Sequence, residues 1–316
     1  MSRLLLCLFP ADAEERAALE AVCAGRVECA YGMDEALLPR AEVILGECDP
    51  SLLENAGSLR WLQISWAGAE RYSPLARASS DLTLTTASGA YGVTIAEHAI
   101  AMLLSLARRF PSYGAQQRAE CWHDLGPEWT LEGKRALILG TGDLGSNLAV
   151  RLRAFGMETV GFCRSMAKPR GIFDRYITIE TLDEELRQAD AVFGCLPGTA
   201  ETAGLLSRER LFSMKDDAIL VNVGRGSLIP TDALLDALDA GKFFGVGLDV
   251  AEREPIPAGH PLWHAPRVLL TPHVAGIGLG HLPETRKRIF DIFLANLRQY
   301  LDGQPLQNVV DPAQGY

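Results

Sequence analysis

The sequence predicts an α/β fold built on parallel sheets, and three observations predict it. Short, strongly apolar runs alternate with helical patterns from one end to the other, which is what strands covered by helices on both faces require. A glycine-rich turn, Gly140-Thr141-Gly142-Asp143-Leu144-Gly145, stands between one such strand and one such helix. The length of 316 residues fits about two domains of ordinary size.

In chain order the apolar runs are Leu4 to Phe9, Val43 to Leu45, Leu59 to Ile64, Leu82 to Thr85, Ala136 to Leu139, Thr159 to Cys163, Ala191 to Leu196, Ala218 to Val223, Gly245 to Val250 and Val268 to Leu270. The first of them lies in MSRLLLCLFPADAEER, where a short run meets Pro10 and then acids without a small-residue cleavage site. It reads as a buried strand rather than a signal peptide. After the fourth run comes a helical stretch, Ile95 to about Gln117, with Ala, Met and Leu at three and four residue spacing, followed by Trp122, Pro127, Trp129 and Gly133. This stretch would connect two sheet domains, and its aromatic tail would serve as an arm against a second subunit, giving a homodimer. A last helix, Leu282 to Tyr300, follows the final strand. Periodicity does not say on which domain it packs.

Composition removes other classes of answer. Hydrophobic residues at 48% and charged residues at 22% supply a sizeable core and leave no room for large-scale disorder. Thirty Lys and Arg against forty Asp and Glu give a net charge of -10, so no overall field gathers nucleic acid or an anionic membrane. No apolar run reaches the roughly 18 residues of a membrane span. The seven cysteines (Cys7, Cys23, Cys29, Cys48, Cys121, Cys163, Cys195) are odd in number, scattered and never spaced CxxC. They read as reduced thiols in a cytoplasm, with no metal site.

The glycine turn carries the first chemistry. Gly140 permits the tight turn, Gly142 lets backbone N–H groups approach a pyrophosphate, and Gly145 lets the helix start close to the strand. A GxGxxG alone also fits a structural turn or an adenosyl cofactor site; here the preceding strand, the following helix and a second strand at Thr159 are all in place. The end of that second strand selects the dinucleotide. An acid there bonds a ribose 2′-OH, whereas a 2′-phosphate needs positive charge and donors. The chain reads Gly161-Phe162-Cys163-Arg164-Ser165, with Lys168 and Arg170 close behind and no acid before Asp174. NADP is favoured, NAD remaining possible; the bland alternative is an exposed charged turn.

Three later strands end in polar tips, as residues at the carboxyl edge of a parallel sheet should. Arg225 sits between glycines in Asn222-Val223-Gly224-Arg225-Gly226, Glu254 closes Gly247-Leu248-Asp249-Val250-Ala251-Glu252-Arg253-Glu254, and His273 stands in Thr271-Pro272-His273-Val274-Ala275-Gly276. Singly they could be a surface salt-bridge partner, a solvated acid and a structural histidine. Together they supply the parts for reducing a 2-oxo acid: a cation for the carboxylate and carbonyl, a histidine to give the proton, and an acid to orient that histidine.

Through GTGDLG, CLPGTAET, VNVGRGSLI, GLDVAEREP and LTPHVAG, in that order, the chain resembles the D-isomer-specific 2-hydroxyacid dehydrogenase family from roughly Ser65 onward. The resemblance implies two Rossmann-like domains, doubly wound parallel sheets with the cofactor domain inserted into the substrate domain. Residues 1–97 plus 288–316 would form the flavodoxin-like substrate domain and 98–287 the dinucleotide-binding domain. It also implies that Arg225 binds substrate, Glu254 orients and charges the histidine, and His273 is the general acid/base. Asp249 resembles the carboxylate that holds the nicotinamide carboxamide, with the Val223 backbone beside it. Leu196 and Pro197 resemble the wall against the adenine ribose, and Thr199 the hydroxyl near the phosphates. Asp143, Leu144, Ser165 and Gly276 complete the expected cofactor contacts. Ser65-Trp66-Ala67-Gly68-Ala69 is similar to the loop whose backbone N–H groups grip the substrate carboxylate, so Trp66, Ala67 and Gly68 join Arg225 as substrate contacts. Trp66, Tyr91, Trp263 and His281 would crowd the pocket and favour small acids.

The family's acid after the second cofactor-domain strand is replaced by Cys163 and Arg164, which resembles the NADP-preferring glyoxylate and hydroxypyruvate reductase branch, as does the C-terminal VVDPAQGY. Gly278 stands where a hydroxyl is usual. Formate-oxidising members carry a glutamine where Glu254 stands, while phosphite oxidation, or a cofactor-sensing role like that of corepressors sharing the fold, stays open as an alternative.

Overall fold

The structure, a computed structural model, describes residues 3–166, 171–276 and 282–313. Two compact units divide the chain: residues 1–90 with 278–316, and residues 91–277. Both divisions fall earlier than boundaries after 97 and before 288. At the first, the chain enters a helix at Gly92 whose Ala96, Ala99, Met102 and Leu103 already belong to the second unit's core.

In the first unit β1 (Leu4–Cys7) leads to α1 (Ala13–Cys23), β2 (Glu28–Tyr31), β3 (Ala41–Leu45), β4 (Trp61–Gln63), α2 (Ser73–Ala78) and β5 (Thr83–Thr85). The strands form a parallel sheet of order β2-β1-β3-β4-β5. With neighbours on both sides, β1 has all four residues buried, which is why its sequence is continuously apolar. β2, at the edge, has an exposed Glu28 and three half-buried residues, so its composition carries no apolar run for the sequence to reveal. The other edge is covered: Val309 bridges Thr85, and Val310 N–H donates to Leu84 O at 2.9 Å.

The second unit opens with α3 (Gly92–Ala107) and α4 (Phe110–Arg118). The pattern from Ile95 to Gln117 is thus two helices rather than one, broken where Arg109 takes a left-handed φ of 53°. Pro111 has no N–H to return to the Ala107 carbonyl, which accepts instead from Trp129 N–H at 3.1 Å. Trp129 is consequently buried in this unit's core, while Trp122 is fully exposed; the aromatic tail is not a single arm. β6 (Arg135–Leu139), α5 (Asp143–Ala154), β7 (Glu158–Phe162), β8 (Arg175–Ile177), α6 (Leu182–Gln188), β9 (Ala191–Gly194), α7 (Arg208–Ser213), β10 (Ile219–Asn222), α8 (Thr231–Asp239), β11 (Gly245–Leu248) and β12 (Val268–Leu270) follow. The sheet is parallel with order β12-β11-β10-β9-β6-β7-β8. The chain therefore goes one way from β6 to β7 and the other way from β9 onward, and the turn after β6 lies at the switch point where α/β sheets take their ligands.

The chain then returns to the first unit as α9 (Pro283–Leu301). Asn296 Nδ2 donates to Gln63 Oε1 at 2.7 Å and Thr85 Oγ1 to the same oxygen at 2.8 Å, all three residues being fully buried. Buried polar groups must be partnered, so this network fixes the helix on that sheet. Among the described residues no helix is long and apolar enough to cross a membrane, and all seven cysteines are free.

Candidate active site

The glycine turn is shaped by close approach. Gly140 has a φ of 117°, and a Cβ there would lie 2.8 Å from Cys195 O. A Cβ on Gly145 would lie 1.9 Å from Gly140 O, so only glycine lets α5 start against the strand. Gly142, the N-cap of α5, supplies no side-chain cap, and the helix's first N–H groups present a partial positive charge without a capping oxygen. That is a fitting cradle for a pyrophosphate. Asp143, expected at the cofactor, turns its carboxylate elsewhere: Oδ2 accepts from Gly92 N–H at 2.8 Å and Oδ1 from Asn147 Nδ2 at 3.0 Å. Its side chain ties α3 to α5, and Leu144 packs partly buried against this unit's core.

At the end of β7, Arg164 and Ser165 are exposed. Asp174, the next acid, is committed to the opposite end of that strand, where it accepts from Thr159 N–H and Oγ1, both at 2.9 Å. Lys168 and Arg170 lie outside the described residues, as do Gly278 and His281. After β9, Leu196, Pro197 and Thr199 are half-buried. Thr199 is held by Thr202, whose hydroxyl sits 3.1 Å from its own and donates to Pro197 O at 2.6 Å.

The three tips stand on consecutive strands of one edge: Arg225 after β10, Asp249 and Glu254 after β11, His273 after β12. Asn222, 1% exposed, shapes the first. Its Nδ2 donates to Arg225 O at 2.9 Å and its Oδ1 accepts from Gly224 N–H at 3.2 Å. His273 adopts a left-handed φ of 55°, a conformation an L-residue keeps only when its surroundings impose it. Asp249 imposes it. Its carbonyl accepts from His273 N–H at 2.8 Å, and its buried carboxylate from Val274 N–H at 2.9 Å and Ala275 N–H at 3.1 Å. Thr271 Oγ1 donates to the same carboxylate at 2.6 Å. A hydroxyl has one proton to give, so His98 Nε2, 3.0 Å from Thr271 Oγ1, is the donor in that pair. His273 Nδ1 lies 2.6 Å from Glu254 Oε2, and Glu254 Oε1 accepts from Ala251 N–H at 2.8 Å. With Nδ1 directed at the carboxylate, Nε2 is the nitrogen left for chemistry. Gly276 abuts Ile95 and the buried Tyr91, whereas Trp263 is half exposed with its indole N–H on Pro257 O at 2.8 Å.

In the first unit, Trp66 and Ala67 are exposed and Gly68 half-buried, between the buried Ser65 and Ala69. Glu47, just past β3, holds this loop: its carboxylate accepts from the Ser65 backbone N–H, from Ser65 Oγ at 2.7 Å and from the Trp66 N–H. Burial pushes the Glu47 carboxyl up despite those donors. Glu47, His98, Thr271, Asn222 and Thr202 were not singled out from the sequence, although Thr271 stands inside LTPHVAG, Asn222 inside VNVGRGSLI and Thr202 at the end of CLPGTAET; Glu47 and His98 stand in no motif.

Fold and site together define a dinucleotide-dependent oxidoreductase. Residues 100–275 match the family described as D-isomer specific 2-hydroxyacid dehydrogenase, NAD binding domain. The glyoxylate/hydroxypyruvate reductase A of Salmonella newport is 35% identical over 226 residues, 71% of this chain and 70% of that protein. Among solved structures, a D-isomer specific 2-hydroxyacid dehydrogenase family protein from Aeromonas salmonicida is 34% identical with a TM-score of 0.86, over 99% of this chain and 100% of its own. An NADPH-dependent glyoxylate/hydroxypyruvate reductase from Sinorhizobium meliloti, solved with NADP and sulfate, is 25% identical with a TM-score of 0.82, over 100% of both chains. The chain belongs to the D-isomer specific 2-hydroxyacid dehydrogenase family, and it is an oxidoreductase carrying that family's NAD binding domain.

Proposed function

We propose that the protein reduces a small 2-oxo acid of the glyoxylate or hydroxypyruvate type to the D-2-hydroxy acid with NADPH. The observation that carries this reading is the His273–Glu254 pair at 2.6 Å on the same sheet edge as Arg225. Arg225 offers a planar fork for the substrate carboxylate and polarises the carbonyl. His273 Nε2 gives its proton to the carbonyl oxygen as the alcohol forms, and Glu254 stabilises the imidazolium beforehand. Gly140, Gly142, Gly145 and the uncapped start of α5 would hold the pyrophosphate, with Leu196, Pro197, Thr199, Val223, Asp249 and Gly276 along the rest of the cofactor. Bound NADPH supplies the hydride. Arg164 and Ser165, at a strand tip without an acid, suit the 2′-phosphate, and the Sinorhizobium relative is named as NADPH-dependent. In the first unit, which would be the substrate domain, the N–H groups beside Trp66, Ala67 and Gly68 would bind the carboxylate. The exposed Phe110 and Trp122 suit a second copy of the chain.

The test follows loss of reduced-nicotinamide absorbance with NADPH or NADH across 2-oxo acids from glyoxylate to phenylpyruvate. Fast turnover of small acids with NADPH is expected, and His273→Ala should lower kcat by about a hundredfold or more. Tight NADPH binding without turnover of any acid would move weight to phosphite oxidation or to cofactor sensing.

A further inference from the structure

The last turn of α1 and the edge strand β2 bring two thiols together outside the candidate active site. Cys23 Sγ and Cys29 Sγ lie 3.3 Å apart, inside ordinary contact between non-bonded sulfurs. Cys23 is buried and Cys29 half-buried on the outermost strand of the first unit's sheet. Among the described residues no other two cysteine sulfurs come within hydrogen-bond reach of each other.

The connection between them is short and fixed. Ala24 and Gly25 both take left-handed backbone conformations, with φ of 44° and 73°. Ala24 N–H closes on Glu20 O at 2.9 Å and Arg26 N–H on Cys23 O at 2.8 Å. Arg26 Nη1 is pinned to Asp302 at 2.9 Å, and Val27 is buried. The two sulfurs are therefore held in proximity rather than meeting by diffusion of a loose loop, and covalent closure brings them from 3.3 Å to the roughly 2.05 Å of a disulfide.

We propose that Cys23 and Cys29 form an oxidisable dithiol, a modification site that reacts with a peroxide to give an intramolecular disulfide. The Cys29 thiolate attacks a peroxide oxygen and the O–O bond breaks, leaving Cys29 as the sulfenic acid and, for hydrogen peroxide, releasing water once protonated. Cys23 then attacks the Cys29 sulfur, the S–O bond breaks, and a second water leaves. Both thiols are oxidised, both oxygens of the peroxide are reduced, and the two thiol protons end in the two waters. The order of events follows from the surroundings. The hydrogen bond between the two thiols holds Cys29 below its ordinary range, and that same bond together with burial pushes Cys23 up. The more exposed sulfur is thus the nucleophile and the buried one the resolving thiol. By contrast the buried Cys7 and the half-buried Cys195, without a thiol partner, are pushed up to about 12 by desolvation.

The site stands apart from the dehydrogenase reading, and its test does not depend on activity. Full-length protein is treated with hydrogen peroxide, denatured, alkylated and digested with trypsin, which cuts at Arg26 and separates the two cysteines. The expected result is a linked peptide pair, Ala17–Arg26 with Val27–Arg40, lighter than the sum of the reduced peptides by two hydrogens, while Cys7, Cys48 and Cys195 remain alkylated. In Cys23→Ser, Cys29 should stop at the sulfenic acid and be trapped by dimedone; in Cys29→Ser, Cys23 should stay alkylatable. Either variant alone suffices if the other fails to fold. Cys23 and Cys29 both still alkylated after peroxide has oxidised the exposed Cys121, or Cys29 joined to any other cysteine, would overturn the proposal.

Discussion

The two units place the same turn at the same point of their topology and finish it in opposite ways. Each has a first strand with parallel neighbours on both sides, followed by a helix that starts at the carboxyl edge. In the first unit that helix, α1, is closed by its own side chains. Asp12 Oδ1 accepts from Glu15 N–H at 2.9 Å, Glu15 Oε2 accepts from Asp12 N–H at 2.9 Å, and Arg286 Nη2 neutralises Glu15 at 2.5 Å. In the second unit, α5 begins at Gly142 with no side-chain cap, and Asp143, the nearest acid, faces Gly92 and Asn147 instead. A helix start wants negative charge. One unit provides it from within and the other does not, so the same fold yields a self-capped turn in one case and, in the function proposed above, a cradle for the dinucleotide in the other.

Importing the first unit's solution into the second is the strongest way to break this contrast. Gly142 has a φ in the ordinary range, and a Cβ there meets nothing within 4 Å, so Gly142→Asp is sterically permitted. Its carboxylate should cap α5, leaving stability unchanged or raised by a few tenths of a kcal/mol. It should also occupy the anion position and weaken NADPH binding by about tenfold or more, roughly 1.4 kcal/mol. Fluorescence titration with NADPH beside thermal melting reads both; undiminished affinity would show that the pyrophosphate does not lie on that helix start. Next in size, Arg164→Asp restores an acid at the β7 tip and should shift the NADPH to NADH preference in kcat/KM by about tenfold. An unchanged ratio would mean that Arg164 is only an exposed charge.

How much of this was legible in the sequence depends on where each residue's partners lie. Ten strands announced themselves because each lies in an apolar run, including the edge strand β12, which is only half-buried but matches its run Val268–Leu270 to the residue. The edge strands β2 and β8 did not, since ECAY and RYI have one face in water and no apolar run. The break at Arg109 was signalled locally by Pro111, which has no N–H for the Ala107 carbonyl; what stayed hidden was the replacement donor, Trp129, which comes from a segment 22 residues further on. Arg225, Glu254 and His273 were legible because spacing within motifs carries them. His98 was not: its partner Thr271 lies 173 positions away, and nothing local distinguishes it from any other histidine on a helix.

A smaller effect tests the self-capped side of the contrast. Asp12→Ala removes one half of the capping box and should cost about 1 kcal/mol of stability by urea denaturation, with NADPH affinity unchanged. A parallel loss of affinity would show that the first unit's helix start takes part in cofactor binding after all.

The smallest effect concerns Glu47, the acid that closes the first unit's 65–66 turn. Burial raises its carboxyl pKa above the ordinary value of 4.5, so the native state binds its proton more tightly than the unfolded chain. Between that ordinary value and the raised one the folded protein holds more protons, and stability falls as pH rises through the window. The penalty is complete above the folded pKa and absent well below 4.5. Glu47→Gln keeps the shape, removes the titration and gives up part of the acceptor strength toward Ser65 and Trp66, the last a constant offset. The stability of the variant relative to the parent should therefore improve as pH rises from 4.5 through the raised carboxyl pKa and then level off, whatever its absolute sign. Urea titrations across that range read the slope. A difference that stays flat would mean that the donors of Ser65 and Trp66 fully offset the burial.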